Sequence, residues 1–163
     1  MIFVTIGSVL PFDRLIRAAD AWASAHRDIP AFAQIGNGRY EPRFMDWVHA
    51  TTPDAFKEHL RRASVVVGHA GMGTIIESAE LGKPIVMMPR RLALKEHNTE
   101  HQFHTAKRFV GRPGAYVAMD ETELPSRIDE ALAAGNAGRA ALPRTAPEDF
   151  VARIREFLTS SDR

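Results

Sequence analysis

Ile2 to Ile6 is a run of apolar and β-branched residues that stops at Gly7, and from Pro11 to about Arg27 the apolar positions Leu15, Ile16, Ala19, Trp22 and Ala23 recur at helical spacing. The pattern predicts a strand, a tight turn and an amphipathic helix. A second apolar run, Ala31 to Ile35, ends in "GNGRYEP", whose glycines and proline interrupt regular structure. "RFMDWVHA" predicts another short strand, and Pro53 opens a helix through Leu60.

"ASVVVGHAGMGTIIESAELGKPIVMMP" shows the repeating unit most clearly. It predicts a strand at Ser64 to Val67, a glycine-rich turn, a helix from about Thr74 to Leu81 stopped by Gly82, and a strand at Ile85 to Met88. A helix from about Asn98 to Phe109, a strand at Tyr116 to Met119 and a helix from Glu123 to Ala134 follow. "GNAGRAALPRTAP" reads as an exposed connector to a terminal helix, about 148–158, with an apolar stripe at Phe150, Ile154, Phe157 and Leu158. Near-continuous apolar strands separated by helices imply an α/β domain with a doubly wound, Rossmann-like parallel sheet covered on both faces. Its ligand is expected beyond the carboxyl ends of the strands.

At 163 residues the chain fits one domain spanning 1–163, which should bury roughly 70% of its unfolded surface. Its 21 Lys and Arg against 20 Asp and Glu leave a net charge of +1, too little to hold a nucleic-acid backbone by counterion release. The absence of cysteine excludes a disulfide framework, a thiolate nucleophile and Cys-ligated zinc. It also suits a reducing compartment, so a cytoplasmic address is expected, and no apolar run approaches the roughly 18 residues of a membrane span.

Chemistry concentrates in two stretches. In "GHAGMGT", Gly71 and Gly73 let backbone N–H groups approach an anion at a helix N-terminus without a Cβ in the way, unless they serve only a tight turn. The stretch lacks the Gly-Lys-Ser/Thr of a P-loop, and Ile76 stands where a dinucleotide fingerprint needs its third glycine. Thr74 reads as a ligand contact or a helix cap, and Glu77 as a carboxylate for two ribose hydroxyls or as the far end of a capping box. His69 reads as a structural residue in preference to a phosphate contact, and His26, His49 and His59 as surface residues.

The other stretch, "KEHNTEHQFH", contains H-x-x-E-H. On a helix His97 and His101 would share a face and Glu100 would serve as base, the inverted zinc-protease arrangement. A third protein ligand would have to come from far along the chain, and the βαβ setting is wrong, so no metal is expected. The remaining readings are a solvated helix start and a helix end that reads a polar ligand.

"VTIGSVLPFDRLI", "IGNGRYEP", "ASVVVGHAGMGTIIESAELGKPIVMMPR" and "EHNTEHQ", in this order over roughly residues 2 to 118, resemble the family 28 glycosyltransferase C-terminal domain, above all its stand-alone members. The resemblance implies the C-terminal half of a GT-B fold and transfer of a hexose from a UDP-sugar to a lipid-linked acceptor, in glycan or exopolysaccharide biosynthesis, without a cofactor. It implies that Ala70, Gly71, Met72, Gly73 and Thr74 hold the diphosphate, with Gly7 and Ser8 beside them. Glu77 would hold the ribose, the turn at Thr52 would face the uracil, and Asn98, His101 and Gln102 would read the sugar. Arg90, Arg91 and Lys95 leave an acidic donor sugar open.

Such a site stabilises negative charge on the leaving diphosphate through amide dipoles, while a general base takes the acceptor proton. No residue here is identifiable as that base. The resemblance implies a membrane-associated partner subunit that supplies the acceptor side, recruits the chain to the cytoplasmic face of a membrane and is touched by the terminal helix. The alternative is a non-catalytic module that binds a nucleotide or sugar and regulates a partner.

Overall fold

The computed structural model describes residues 1–135 together with Ala152, Arg153 and Glu156. The terminal-helix stripe and the connector before it lie outside the described residues. The chain alternates β1 (Ile2–Thr5), α1 (Asp13–Ala25), β2 (Ala31–Gln34), β3 (Asp46–Val48), α2 (Pro53–Arg62), β4 (Val65–His69), α3 (Met72–Glu80), β5 (Ile85–Met88), a 3₁₀ turn (Leu92–Leu94), α4 (His101–Phe109), β6 (Ala115–Val117) and α5 (Leu124–Ala134).

The six strands form one sheet in the order β3-β2-β1-β4-β5-β6, and every neighbouring pair is parallel. Strand alternation divides the core into two layers. Ile2, Val4, Val65, Val67, Val86 and Met88 pack with Leu15, Ile16, Trp22, Leu124 and Ile128, under α1 and α5. Phe3, Val66, Ile85 and Met87 pack with Leu60, Ile75 and Ala106, under α2, α3 and α4. Burial on both faces explains why these strands read as unbroken apolar runs.

Several boundaries differ from expectation, among them that of β4, which runs on to His69, past the expected Val67. α3 begins at Met72 with Gly71 at its N-cap, two residues before Thr74, so Thr74 is no cap. α4 begins at His101 instead of Asn98, because side chains of residues 96–102 bind the backbone of residues 90–92 and keep the intervening chain out of the helix. β6 starts at Ala115 and ends at Val117, earlier than Met119. Among the described residues no helix is long and apolar enough to cross a membrane.

Candidate functional site

The order in which strands are added to the sheet reverses between β1 and β4, which opens a crevice at their carboxyl ends. A cavity of about 580 Å³ lies there, walled on one side by Gly7, Ser8, Gly73, Thr74 and Glu77 and on the other by Gln34, Asn37, His49, Thr51 and Pro53, with His69 between them. Five of the expected residues, Gly7, Ser8, Gly73, Thr74 and Glu77, thus meet around one space.

The wall expected to meet the diphosphate is the start of α3. No side chain caps this helix, so its first-turn N–H groups remain for another acceptor. A Cβ at Gly73 would meet nothing within 4 Å and would project into open space. Thr74 is the third helical residue and 6% exposed, which removes the capping box as an explanation for Glu77. Glu77, half-buried, lines the cavity instead. Ala70 is buried and Met72 exposed, and neither side chain lines the cavity, so any part they play is through the backbone.

His69 sits closer to this chemistry than expected. Its ring fills the gap between two glycines: a Cβ on Gly7, whose φ is +77°, would come within 2.7 Å of His69 Cε1, and one on Gly71 would strike Nε2. Burial, with Arg90 and the neighbouring His97 and His101, lowers the His69 pKa to about 4, so the ring is neutral at neutral pH. Its Nδ1 is buried without a hydrogen-bond partner.

The opposite wall is held by a residue the sequence reading passed over. The buried Gln34 amide accepts a hydrogen bond from Thr5 Oγ1 at 2.8 Å and donates to the carbonyls of Gly7 at 3.2 Å and His49 at 3.1 Å. Thr5 Oγ1 in turn accepts the Gly7 N–H at 3.2 Å. The loops after β1 and β3 are therefore tied to one side chain. Thr52 does not line the cavity; its hydroxyl caps α2 by accepting the Ala55 N–H at 3.3 Å, and its neighbours Thr51 and Pro53 take the cavity wall. His49 is exposed, as read, and lines the crevice. His59 and His26 are not simple surface residues: His59 stacks on Phe32 and Phe3, at 4.1 and 5.3 Å between centroids, and His26 on Trp22 at 4.2 Å.

The three sugar-end candidates separate. Asn98 lines a second concavity of about 640 Å³ with Val9, Leu10, Leu92 and His97. His101 is exposed, its Nδ1 2.6 Å from Thr99 Oγ1. Gln102 is 3% exposed, and its Oε1 accepts the Arg90 N–H at 3.1 Å. His97 precedes α4, so the shared helical face that H-x-x-E-H needs does not form, and Glu100 accepts the Leu92 N–H at 3.0 Å and pairs with Arg91 at 3.5 Å. Among the described residues no group of three or more His, Cys, Asp or Glu is placed to hold a metal.

The arginines expected to read an acidic sugar are also engaged. Arg90 is 4% exposed and donates to the carbonyls of Ile6 at 2.8 Å and Leu10 at 2.5 Å, and burial lowers its pKa to about 10. Arg91 lies over the Phe103 ring and beside Glu100, which leaves Lys95 as the exposed cation of the three.

Comparison with known proteins bears on the family and the fold. The human "UDP-N-acetylglucosamine transferase subunit ALG13" is 29% identical over 152 residues, which cover 81% of this chain and 13% of that protein. Among solved structures, the glycosyltransferase of kitacinnamycin superposes with a TM-score of 0.59 at 23% identity, covering 83% of this chain and 34% of that one. The calicheamicin glycosyltransferase CalG4 does so with a TM-score of 0.59 at 19% identity, covering 99% of this chain and 44% of that one. The chain thus spans less than half the length of these proteins, whose likeness establishes the α/β fold of a GT-B glycosyltransferase. The model of the glycosyltransferase family 28 C-terminal domain matches residues 1–158, and the chain belongs to that family.

Proposed function

We propose that this chain is the donor-binding part of a UDP-sugar-dependent hexosyltransferase that works with a membrane-associated partner on a lipid-linked acceptor. The observation that carries the reading is the single cavity in which Gly7, Ser8, the uncapped start of α3 and Glu77 converge at the β1/β4 switch point. The likeness to the human subunit of a UDP-N-acetylglucosamine transferase supports both a UDP-sugar donor and a partner.

In this reading the diphosphate lies at the α3 N-terminus, where first-turn amides and the helix dipole meet negative charge. Glu77, one turn further, accepts hydrogen bonds from the ribose hydroxyls. The uracil lies toward Thr51 and Pro53, and the sugar toward Asn98 and His101. As the bond from the anomeric carbon to the diphosphate oxygen breaks, charge grows on that oxygen, and fixed amide dipoles stabilise it without reorganising. The neutral His69 ring donates a hydrogen bond to the phosphates without bringing a positive charge. The acceptor hydroxyl loses its proton to a base supplied from the acceptor side.

Calorimetric titration of the purified chain with UDP, UDP-N-acetylglucosamine, UDP-glucuronate and UDP-glucose tests the donor reading. Binding is expected, and Glu77→Ala is expected to weaken UDP by roughly 10–100-fold, the loss of hydrogen bonds to a charged acceptor. With Arg90 and Arg91 engaged internally, UDP-glucuronate is expected to hold no advantage over UDP-N-acetylglucosamine. Absence of uridine-nucleotide binding overturns the reading.

A further inference from the structure

The segment between β5 and α4, residues 89–100, contains only one 3₁₀ turn of regular structure, and with His101 and Gln102 at the start of α4 it carries the sugar-end candidates. Its shape is set by side chains. The N–H groups of Arg90, Arg91 and Leu92 are accepted in turn by Gln102 Oε1 at 3.1 Å, Glu96 Oε2 at 2.9 Å and Glu100 Oε1 at 3.0 Å. Lys95 adopts a left-handed φ of 57°, which lets the chain turn back on itself.

These bonds are internal to the segment, and two arginines fasten it to the rest of the molecule: Arg90 at its start, through the Ile6 and Leu10 carbonyls, and Arg14 further along. Arg14, on the first turn of α1, grips Glu96 with two parallel bonds, Nε to Oε1 at 2.8 Å and Nη2 to Oε2 at 2.7 Å. Arg14 also donates to the Pro89 carbonyl at 3.1 Å and to Glu121 at 2.8 Å. The pair is largely shielded, with side chains 14% and 13% exposed, so its forked geometry constrains direction as well as distance. Glu96 thereby joins α1 to the Arg91 amide and sits immediately before His97 and Asn98.

Neither Arg14 nor Glu96 lines the 580 Å³ crevice. In the donor-site reading the nucleotide wall is built on α3 and the loops after β1 and β3, whereas the sugar end falls on residues 97–101, directly after Glu96. We propose that Arg14 and Glu96 are positioning residues that hold residues 89–102 in the form that reads the donor sugar, so that breaking the pair separates sugar recognition from nucleotide recognition. The inference rests on the donor-site reading above.

The test uses the full chain with Glu96→Gln and Arg14→Met, titrated with UDP and with UDP-N-acetylglucosamine, and the amide exchange of Arg91 measured in parallel. The expected result is a UDP affinity within about twofold of wild type, a UDP-N-acetylglucosamine affinity weakened roughly tenfold through misplacement of the sugar end, faster exchange at Arg91, and retained protection in β1 and β4. Where a variant loses protection in the sheet, Arg14→Lys, which keeps the charge but cannot form the fork, carries the same comparison. An unchanged ratio of the two affinities, whether both ligands weaken equally or neither does, overturns the proposal. Failure of the donor reading is separate: it shows already in the wild-type chain as absence of UDP binding, and the clamp proposal falls with it.

Discussion

His69 makes the chemistry of single residues measurable. Its depressed pKa means that the unfolded chain takes up a proton near pH 6.5 while the folded chain holds the ring neutral until about pH 4. Above pH 6.5 neither state is protonated and there is no penalty. Between the two values the unfolded state binds more protons, so stability falls as the pH is lowered, by at most about 3 kcal/mol for a shift of this size. Urea unfolding at pH 7.5 and pH 4.5 should show this loss, and His69→Asn should remove much of it. A pH dependence identical in wild type and variant would assign the titration elsewhere. Some of these residues announced themselves and others did not. Glu77 was visible because its spacing from the glycine loop places it one helical turn from an anion. Gln34 is hidden for a physical reason: "AFAQI" has the pattern of one apolar run, and the role of its glutamine depends on two loops distant in sequence. A buried polar residue ending an apolar strand is the signal that was available.

The decisive element is α3, and its first turn separates two glycines that look alike in sequence. A methyl group on Gly71 meets the His69 ring, so Gly71→Ala should cost about 1–3 kcal/mol through overpacking and lower the melting temperature. A methyl group on Gly73 meets nothing, and in a helix it removes glycine's entropy cost, so Gly73→Ala should fold at least as stably, gaining roughly 0.5–1 kcal/mol. Yet it places a methyl in the crevice and should lose UDP affinity. Thermal unfolding beside calorimetry distinguishes the pair; a Gly73→Ala variant that binds UDP normally would displace the diphosphate from this turn. Elements built on burial were legible as far as their periodicity: the two-faced strands and α1 stand close to where the apolar pattern puts them. Residues 89–100 were not, because Glu96, Glu100 and Gln102 resemble a polar helix start in one dimension and become loop-forming acceptors only when they reach the amides of residues 90–92.

At the scale of the whole molecule, a parallel sheet whose order reverses between β1 and β4 was legible because a doubly wound arrangement is the one that buries every apolar strand on both faces. In the proposed reading the same topology leaves the acceptor side to a partner. The chain covers 34% and 44% of two glycosyltransferases that share its fold. Within the described residues the carboxylates nearest the sugar end are already committed: Glu96 to Arg14 and the Arg91 amide, and Glu100 to the Leu92 amide and Arg91. A base bound in this way is poorly placed to collect a proton from an acceptor hydroxyl. The chain alone is therefore expected to bind UDP-N-acetylglucosamine yet transfer no sugar to a lipid-linked acceptor, and a co-purifying membrane-associated subunit is expected to restore transfer. Radiolabelled donor with and without that subunit measures this directly. Transfer by the isolated chain that disappears in His101→Ala or His97→Ala would overturn the expectation and move the base onto the segment that Arg14 and Glu96 hold in place.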